Sequence, residues 1–205
     1  MIAKIKNIVT RRILKFLEDE MKRDSEEYDK WFKDFSMFLK EGVMSDNENK
    51  EQLLRLMRYH SNNSIDVTIS LDDYLKSMKA EQKKIYFISG QAPKEALSNP
   101  FMEPFKESDV PVLIVNNQID EMIFQQIGTY KGYTFVNVES GYEEIAKDLG
   151  DKQVERDANQ PSLPEEDVTQ FSLWLKENTK PYVGKVTLSK RISSVPAVLY
   201  GQVSA

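Results

Sequence analysis

The sequence predicts an α/β fold: a helical segment, then a small three-layer αβα parallel sheet, then a helix and the first β-hairpin of an incomplete second domain. Three short apolar runs at residues 85–88, 112–115 and 135–138 carry the prediction of a sheet. Such runs, bounded by polar residues, are typical of parallel strands that are covered on both faces. Helical patterns separate the three runs, and this alternation favours right-handed crossovers with helices on both faces of the sheet.

Residues 1–64 are predicted to form a helical linker. Gly42 is predicted to end its second helix, and Asp46 to cap the next one. The first seventeen residues are amphipathic, basic and free of acids, as in a mitochondrial transit peptide. The apolar stripe continues past the basic part, so we interpret them as a surface helix. The second helix has one broad apolar face, formed by Tyr28, Trp31, Phe32, Phe35, Phe38 and Leu39.

Residues 65–149 are predicted to form the small αβα part. Ser70 is expected to cap one of its helices, and Pro93 lies in the first turn of another. A helix over residues 118–130 is predicted to bury one stripe, formed by Ile119, Met122, Ile123, Ile127 and Tyr130.

The last part of the chain begins with a polar linker at residues 150–163, which contains Pro161 and is followed directly by Pro164. Residues 164–205 are interpreted as the start of a second domain. This domain is predicted to open with a helix and to continue with β segments at 186–190 and 197–200.

Composition excludes several classes of protein. The chain has 205 residues, 40% of them hydrophobic, so it can form a substantial core. Its net charge of −5 argues against a nucleic-acid partner, which a basic stripe would recognise. The absence of cysteine excludes a disulfide framework. No apolar run reaches the roughly 18 residues that a membrane-spanning helix requires, so no membrane partner is expected.

Few residues suggest catalysis. Ser89-Gly90 follows a strand, but no glycine-rich phosphate-binding motif surrounds it, and a plain turn is favoured. His60 is the only histidine, and no nucleophile motif accompanies it. Asp120 and Glu121 could form a carboxylate pair for acid–base chemistry, but capping the positive end of a helix is the favoured role. No catalytic residue and no metal site is therefore predicted.

Six short motifs follow one another along the chain: Leu-Met-Arg-Tyr-His-Ser at 56–61, Ser-Leu-Asp-Asp-Tyr at 70–74, Lys-Lys-Ile-Tyr-Phe at 83–87, Asn-Pro-Phe at 99–101, Ile-Asp-Glu at 119–121 and Pro-Ala at 196–197. The first five resemble the middle segment of the ninety-kilodalton heat-shock chaperones, and the sixth resembles the opening of that family's carboxy-terminal domain. Asn99, Ser77 and residues 117–118 depart from the family's usual residues.

This resemblance implies part of an ATP-dependent, homodimeric chaperone that acts on client proteins with co-chaperones. ATP and magnesium would bind to another domain of the full-length protein, so no cofactor and no ATPase activity is expected in this chain. The family's dimerising helices would lie beyond its end, so the chain is expected to be mainly monomeric. The sequence around residues 189–199 resembles organellar or bacterial members, which favours a mitochondrial location over a cytoplasmic one.

The resemblance also implies a client-contact surface on the helix that begins with Ile-Asp-Glu, at Glu121, Met122 and Phe124. Met122 lies on the margin of the apolar stripe, and Phe124 is predicted to point away from that stripe. An exposed methionine beside an exposed aromatic ring would form an adaptable apolar contact. The alternative is that both faces of this helix are buried, because a covered sheet requires it.

A different class of protein is also compatible with the predicted sheet. A free-standing Rossmann-like enzyme would bind a nucleotide or sugar in the crevice at the carboxyl ends of the strands. Ser89, Asn116 and Asn117 would then lie at that site.

Overall fold

The computed structural model describes residues 2–141, residues 145, 148 and 149, and residues 164–186. The chain divides into two compact units, Met1–Tyr142 and Glu143–Ala205. The predicted linker at 150–163 lies outside the described residues, as does nearly all of the predicted hairpin.

The first unit contains seven described α-helices and six strands. The helices are α1 (Ile2–Arg23), α2 (Ser25–Ser45), α3 (Lys50–Arg55), α4 (Leu71–Ser77), α5 (Pro93–Ser98), α6 (Glu103–Ser108) and α7 (Gln118–Ile127), with a 3-10 turn at Pro100–Met102. The strands are β1 (Tyr59–Ser61), β2 (Ser64–Ile69), β3 (Lys84–Ser89), β4 (Val112–Val115), β5 (Thr129–Tyr130) and β6 (Tyr133–Asn137).

One six-stranded sheet organises this unit, in the order β2-β1-β4-β3-β6-β5. Strands β4, β3 and β6 run parallel, with Tyr86 opposite both Val112 and Val136. These are the three strands that the apolar runs predicted, so the α/β prediction is confirmed. The outer strands β1, β2 and β5 pair antiparallel with their neighbours, which makes the sheet mixed.

The hairpin β1–β2 was not predicted. Helix was expected to about residue 60 and a boundary at residue 64, but this position lies inside the hairpin. Strand β2 is an edge strand whose central residues Asp66 and Val67 are exposed, so it lacks the apolar run that marks a buried strand. The position that was expected to separate the helical part from the sheet therefore lies within the sheet.

Helix α2 continues beyond the glycine that was expected to end it. Gly42 lies inside the helix, packed so closely against Leu53 that an added Cβ would lie 3.2 Å from that side chain. Asp46 is the C-cap of α2, donating its backbone N–H to the carbonyl of Gly42, and it precedes α3 instead of capping it. Its side chain accepts hydrogen bonds from the backbone of Glu48 and Asn49, which fixes the turn between the helices.

The apolar face of α2 is buried only in part. Tyr28, Phe32 and Leu39 lie in the core, and the Tyr28 hydroxyl donates to the carbonyl of Leu56. Phe35 and Phe38 are exposed, although the sequence places them on the same apolar face. The predicted face is wider than the surface that the rest of the unit covers.

The described part of the second unit is mainly α8 (Glu165–Thr179). This helix begins where the sequence predicted, with three acidic residues in its first turn. Phe171 and Trp174 stack with ring centroids 5.9 Å apart, and both are exposed. Among the helices that the structure describes, none is both long and apolar enough to cross a membrane.

Acid is expected to weaken the contact between α4 and the β5–β6 turn. Asp72 accepts hydrogen bonds of 2.6 Å from Tyr130 and from Lys131. Burial opposes ionisation of Asp72, but these hydrogen bonds outweigh it and hold its pKa below the ordinary value. A carboxyl group whose pKa is lower in the folded state contributes stability above its unfolded pKa of about 4, and that contribution is lost as the pH falls further.

The expected result is that Asp72→Asn loses less stability than the wild type between pH 7 and pH 3. Urea unfolding at the two pH values measures the difference, and Asp66→Asn, at an exposed position on β2, is the control. An equal loss in wild type and Asp72→Asn would contradict the prediction.

Candidate functional site

The candidate site lies at the edge of the sheet where the parallel strands end and α7 begins. Ser89 is the last residue of β3, Asn137 is the last residue of β6, and Asn117 follows β4. The carboxyl ends of parallel strands meet at one edge, so these polar residues lie close together. Asn117 caps α7 by accepting a hydrogen bond from the backbone N–H of Ile119. The cap directs the first turn of α7 across the strand ends.

Glu121 joins α7 to two of these strand ends. Its carboxylate accepts hydrogen bonds of 3.1 Å from the Ser89 hydroxyl and of 3.1 Å from the Asn137 amide. Gln125, one turn further along α7, donates a longer bond of 3.4 Å. Because Asn117 caps the helix, the expected capping role does not describe Glu121, which fixes α7 to the sheet instead.

Asp120 has a separate partner in a different environment. It is buried, and its Oδ2 accepts a 2.8 Å hydrogen bond from Nζ of Lys40 on α2. Burial raises the pKa of Asp120, and Lys40 opposes that effect. Asp120 and Glu121 therefore do not act as one carboxylate pair.

The three predicted client-contact residues have different exposures. Met122 is 53% exposed and Glu121 is half-buried, so both reach the surface. Phe124 is 1% exposed, and its ring stacks on Phe135 with centroids 4.2 Å apart. The expectation that Phe124 points away from the buried stripe is therefore wrong, and Phe124 belongs to the core.

The error comes from the helical position of Asp120. The buried residues of α7 are Asp120, Ile123 and Phe124, at the three- and four-residue spacing of a single helix face. The sequence interpretation treated Asp120 as a surface acid and placed Met122 in the stripe instead, which rotated the predicted face. The burial of the Asp120 carboxylate becomes evident only in the fold, where Lys40 lies against it.

Two open cavities flank the Glu121 hydrogen bonds. A cleft of about 290 Å³ is lined by residues 89–91, 115–118 and Glu121. A second cavity, of about 220 Å³, lies beside the stacked rings of Phe124 and Phe135. Among the described residues, no group of three or more His, Cys, Asp or Glu side chains could hold a metal ion.

The Ser89-Gly90 turn has a structural explanation. The Gly90 backbone N–H donates to the carbonyl of Val115, and an added Cβ at Gly90 would lie 2.8 Å from Cβ of Ala96. The turn therefore packs tightly against α5. The alternative enzyme interpretation placed a ligand near Ser89, Asn116 and Asn117, and these residues do line the same cleft. The Ser89 hydroxyl, however, donates to Glu121.

Sequence reasoning missed Ser89, Asn137 and Lys40 as partners of α7. The first two could have been found, because polar residues directly after buried parallel strands collect at one edge of the sheet. Lys40 carries no such signal, since lysines on helices are mostly exposed.

The α/β fold matches the middle domain of a heat shock protein from Plasmodium falciparum. The TM-score is 0.63 at 31% sequence identity, over 67% of this chain and 58% of that chain. A sequence profile described as "Hsp90 protein" matches residues 1–204. The chain belongs to the HSP90 protein family.

Relatives with curated names agree with this assignment. The chain is 34% identical over 200 residues to the chaperone protein HtpG of Desulfitobacterium hafniense, covering 97% of this chain and 32% of that protein. It is 31% identical over 210 residues to the mitochondrial TNF receptor-associated protein 1 homolog of Dictyostelium discoideum, covering all of this chain and 29% of that protein. It is 34% identical over 194 residues to the mitochondrial heat shock protein 90-6 of Arabidopsis thaliana, covering 95% of this chain and 23% of that protein. The chain thus spans about a third or less of the length of these relatives.

Proposed function

We propose that this chain is the part of an ATP-dependent chaperone that contributes client-contact surface and couples the ATP-binding domain to the dimer hinge. The observation that carries the proposal is Met122, an exposed methionine on a helix that its neighbours fix in place. Asp120 and Phe124, two residues before and two residues after Met122, are buried. Glu121 is hydrogen-bonded to residues at the ends of two strands. A flexible apolar side chain on a fixed helix suits non-specific contact with unfolded polypeptide.

The rest of the proposal concerns the whole protein. ATP and magnesium would bind to a different domain, and this chain would transmit movement as a rigid body without hydrolysing ATP. Clients and co-chaperones would be its partners, and the full-length protein would be a homodimer, whereas this chain alone would be mainly monomeric. The two mitochondrial relatives support a mitochondrial location, and the HtpG relative leaves a cytoplasmic location as the alternative.

Met122→Ala is expected to weaken binding of an unfolded client about fivefold, which corresponds to roughly 1 kcal/mol of lost apolar contact. Stability is expected to change by no more than about 0.5 kcal/mol, because the side chain is exposed. Fluorescence anisotropy with labelled, reduced and carboxymethylated lactalbumin measures the affinity, and urea unfolding measures the stability.

The matched control is Val67→Ala, which also truncates an exposed apolar side chain, but on the edge strand β2. Its client affinity is expected to equal that of the wild type. Unchanged affinity in a stable Met122→Ala variant would remove Met122 from the client surface.

A further inference from the structure

A buried ion pair joins helix α2 to the first turn of α7. Nζ of Lys40 and Oδ2 of Asp120 are 2.8 Å apart, and their side chains are only 8% and 2% exposed. The Tyr59 hydroxyl lies 3.5 Å from the other carboxylate oxygen of Asp120, a long hydrogen bond. The contact therefore links α2, β1 and α7, which lie far apart in the sequence.

This pair differs from most ion pairs in the described chain, which join exposed residues three or four positions apart on one helix. Removing two charges from water is costly, and a well-packed apolar pair of similar volume often stabilises a protein as much or more. Stability alone is thus a weak explanation for this pair. A buried charge pair can instead specify one arrangement of its surroundings, since the carboxylate must meet the lysine.

The arrangement that this ion pair can specify is the rotation of α7 about its own axis. Successive residues of a helix point about 100° apart, so the direction of Asp120 sets the directions of the next two side chains. With Asp120 turned inward to Lys40, Glu121 meets Ser89 and Asn137, and Met122 faces solvent. The apolar residues of α7 would also allow a second orientation, in which Met122 is buried. The ion pair between Lys40 and Asp120 favours the observed orientation over this second one.

We propose that Lys40 and Asp120 are positioning residues that hold α7 in the rotation that presents Met122 to a client. The importance of this position for clients rests on the proposed function. The orientation of α7 itself does not, and it can be measured without any client.

The test compares three variants of the chain. Lys40→Met leaves Asp120 without its cationic partner, whereas the double variant Lys40→Met with Asp120→Leu removes both charges and leaves an apolar contact. If Lys40→Met alone does not fold, the double variant, which has no unpaired buried charge, still allows the measurement. Arg58→Met is the matched control, because Arg58 and Asp29 form another largely buried ion pair that involves α2 but not α7.

Amide hydrogen exchange, followed by NMR, measures how firmly α7 is held in its place on the sheet. Exchange at Ile123 and Phe124 is expected to become about tenfold faster in the double variant relative to the β3 amide of Phe87, which reports global unfolding. In Arg58→Met the α7 and β3 amides are expected to change by the same factor. Equal changes in the double variant would overturn the proposal.

Client affinity, measured with the same labelled lactalbumin, supplies the second readout. The double variant is expected to bind about fivefold more weakly, and adding Met122→Ala to it should weaken binding little further, because both changes act on one contact. Wild-type affinity in the double variant, or full additivity with Met122→Ala, would overturn the positioning of Met122. If Met122→Ala alone has no effect, the proposed function fails, and the exchange measurement then decides the role of the ion pair by itself.

Discussion

Phe124→Ala is expected to lower the free energy of unfolding by about 3–5 kcal/mol, as is typical when a buried aromatic side chain is truncated. The Phe124 ring stacks on Phe135 and meets Phe87 and Tyr59 with centroids 5.0 and 5.2 Å away. Alanine would leave a cavity beneath α7, which rings held by three different strands cannot easily fill. The loss is a large part of the stability of a typical domain.

Urea unfolding measures this effect, and Met122→Ala is the matched control, two residues away on the same helix. The control is expected to change the stability by about 0.5 kcal/mol or less, because Met122 is exposed. A small loss for Phe124→Ala would mean that the ring is not part of the core, and would restore it as a candidate for client contact.

The orientation of α7 is a feature that the sequence alone did not predict. The helix itself, its start after Asn117 and its place between two parallel strands followed from local patterns. The choice between Met122 and Phe124 for the buried face depended on whether Asp120 was buried. Burial of the Asp120 carboxylate depends on its ion pair with Lys40, which lies far away in the sequence. No local sequence pattern predicts that pair.

The sheet shows the same division between local and distant information. Strands β3 and β4 were predicted because both of their faces are covered, which requires continuous apolar runs. Strand β6 was predicted from the run at 135–138, although Phe135 is its only buried residue. Strands β1, β2 and β5 were missed because they are short or lie at an edge, so their residues are mixed in character. The Ser89–Glu121–Asn137 contacts were within reach of sequence reasoning once the order of the parallel strands was fixed, because strand ends share an edge.

The exposed rings of α2 mark a related limit. A three- and four-residue spacing identified Phe35 and Phe38 as members of an apolar face, but not whether a neighbouring element covers them. Periodicity fixes which residues share a face, and only the packing of the unit fixes how much of that face is buried.

Arg58→Met is expected to lower the free energy of unfolding by about 3 kcal/mol, because it breaks a largely buried network that holds α2 against strand β2. Nε of Arg58 donates to Asp29 at 2.7 Å, and its terminal nitrogen donates to the Ser25 hydroxyl at 2.7 Å and to the Thr68 carbonyl at 2.9 Å. The Thr68 hydroxyl also donates to Asp29 at 2.7 Å. Methionine fills similar space but leaves the carboxylate of Asp29 without its cation, and the Thr68 carbonyl loses a donor.

Urea unfolding at pH 7 compares this variant with Lys30→Met, which removes an exposed ion pair with Glu27 on the same helix. The Lys30 variant is expected to change the stability by about 0.5 kcal/mol or less. Arg58→Lys should recover less than half of the loss, because an ammonium group cannot make the forked contacts of a guanidinium group. Similar losses for Arg58→Met and Lys30→Met, or full recovery by Arg58→Lys, would show that charge alone matters and that the geometry of the network adds little.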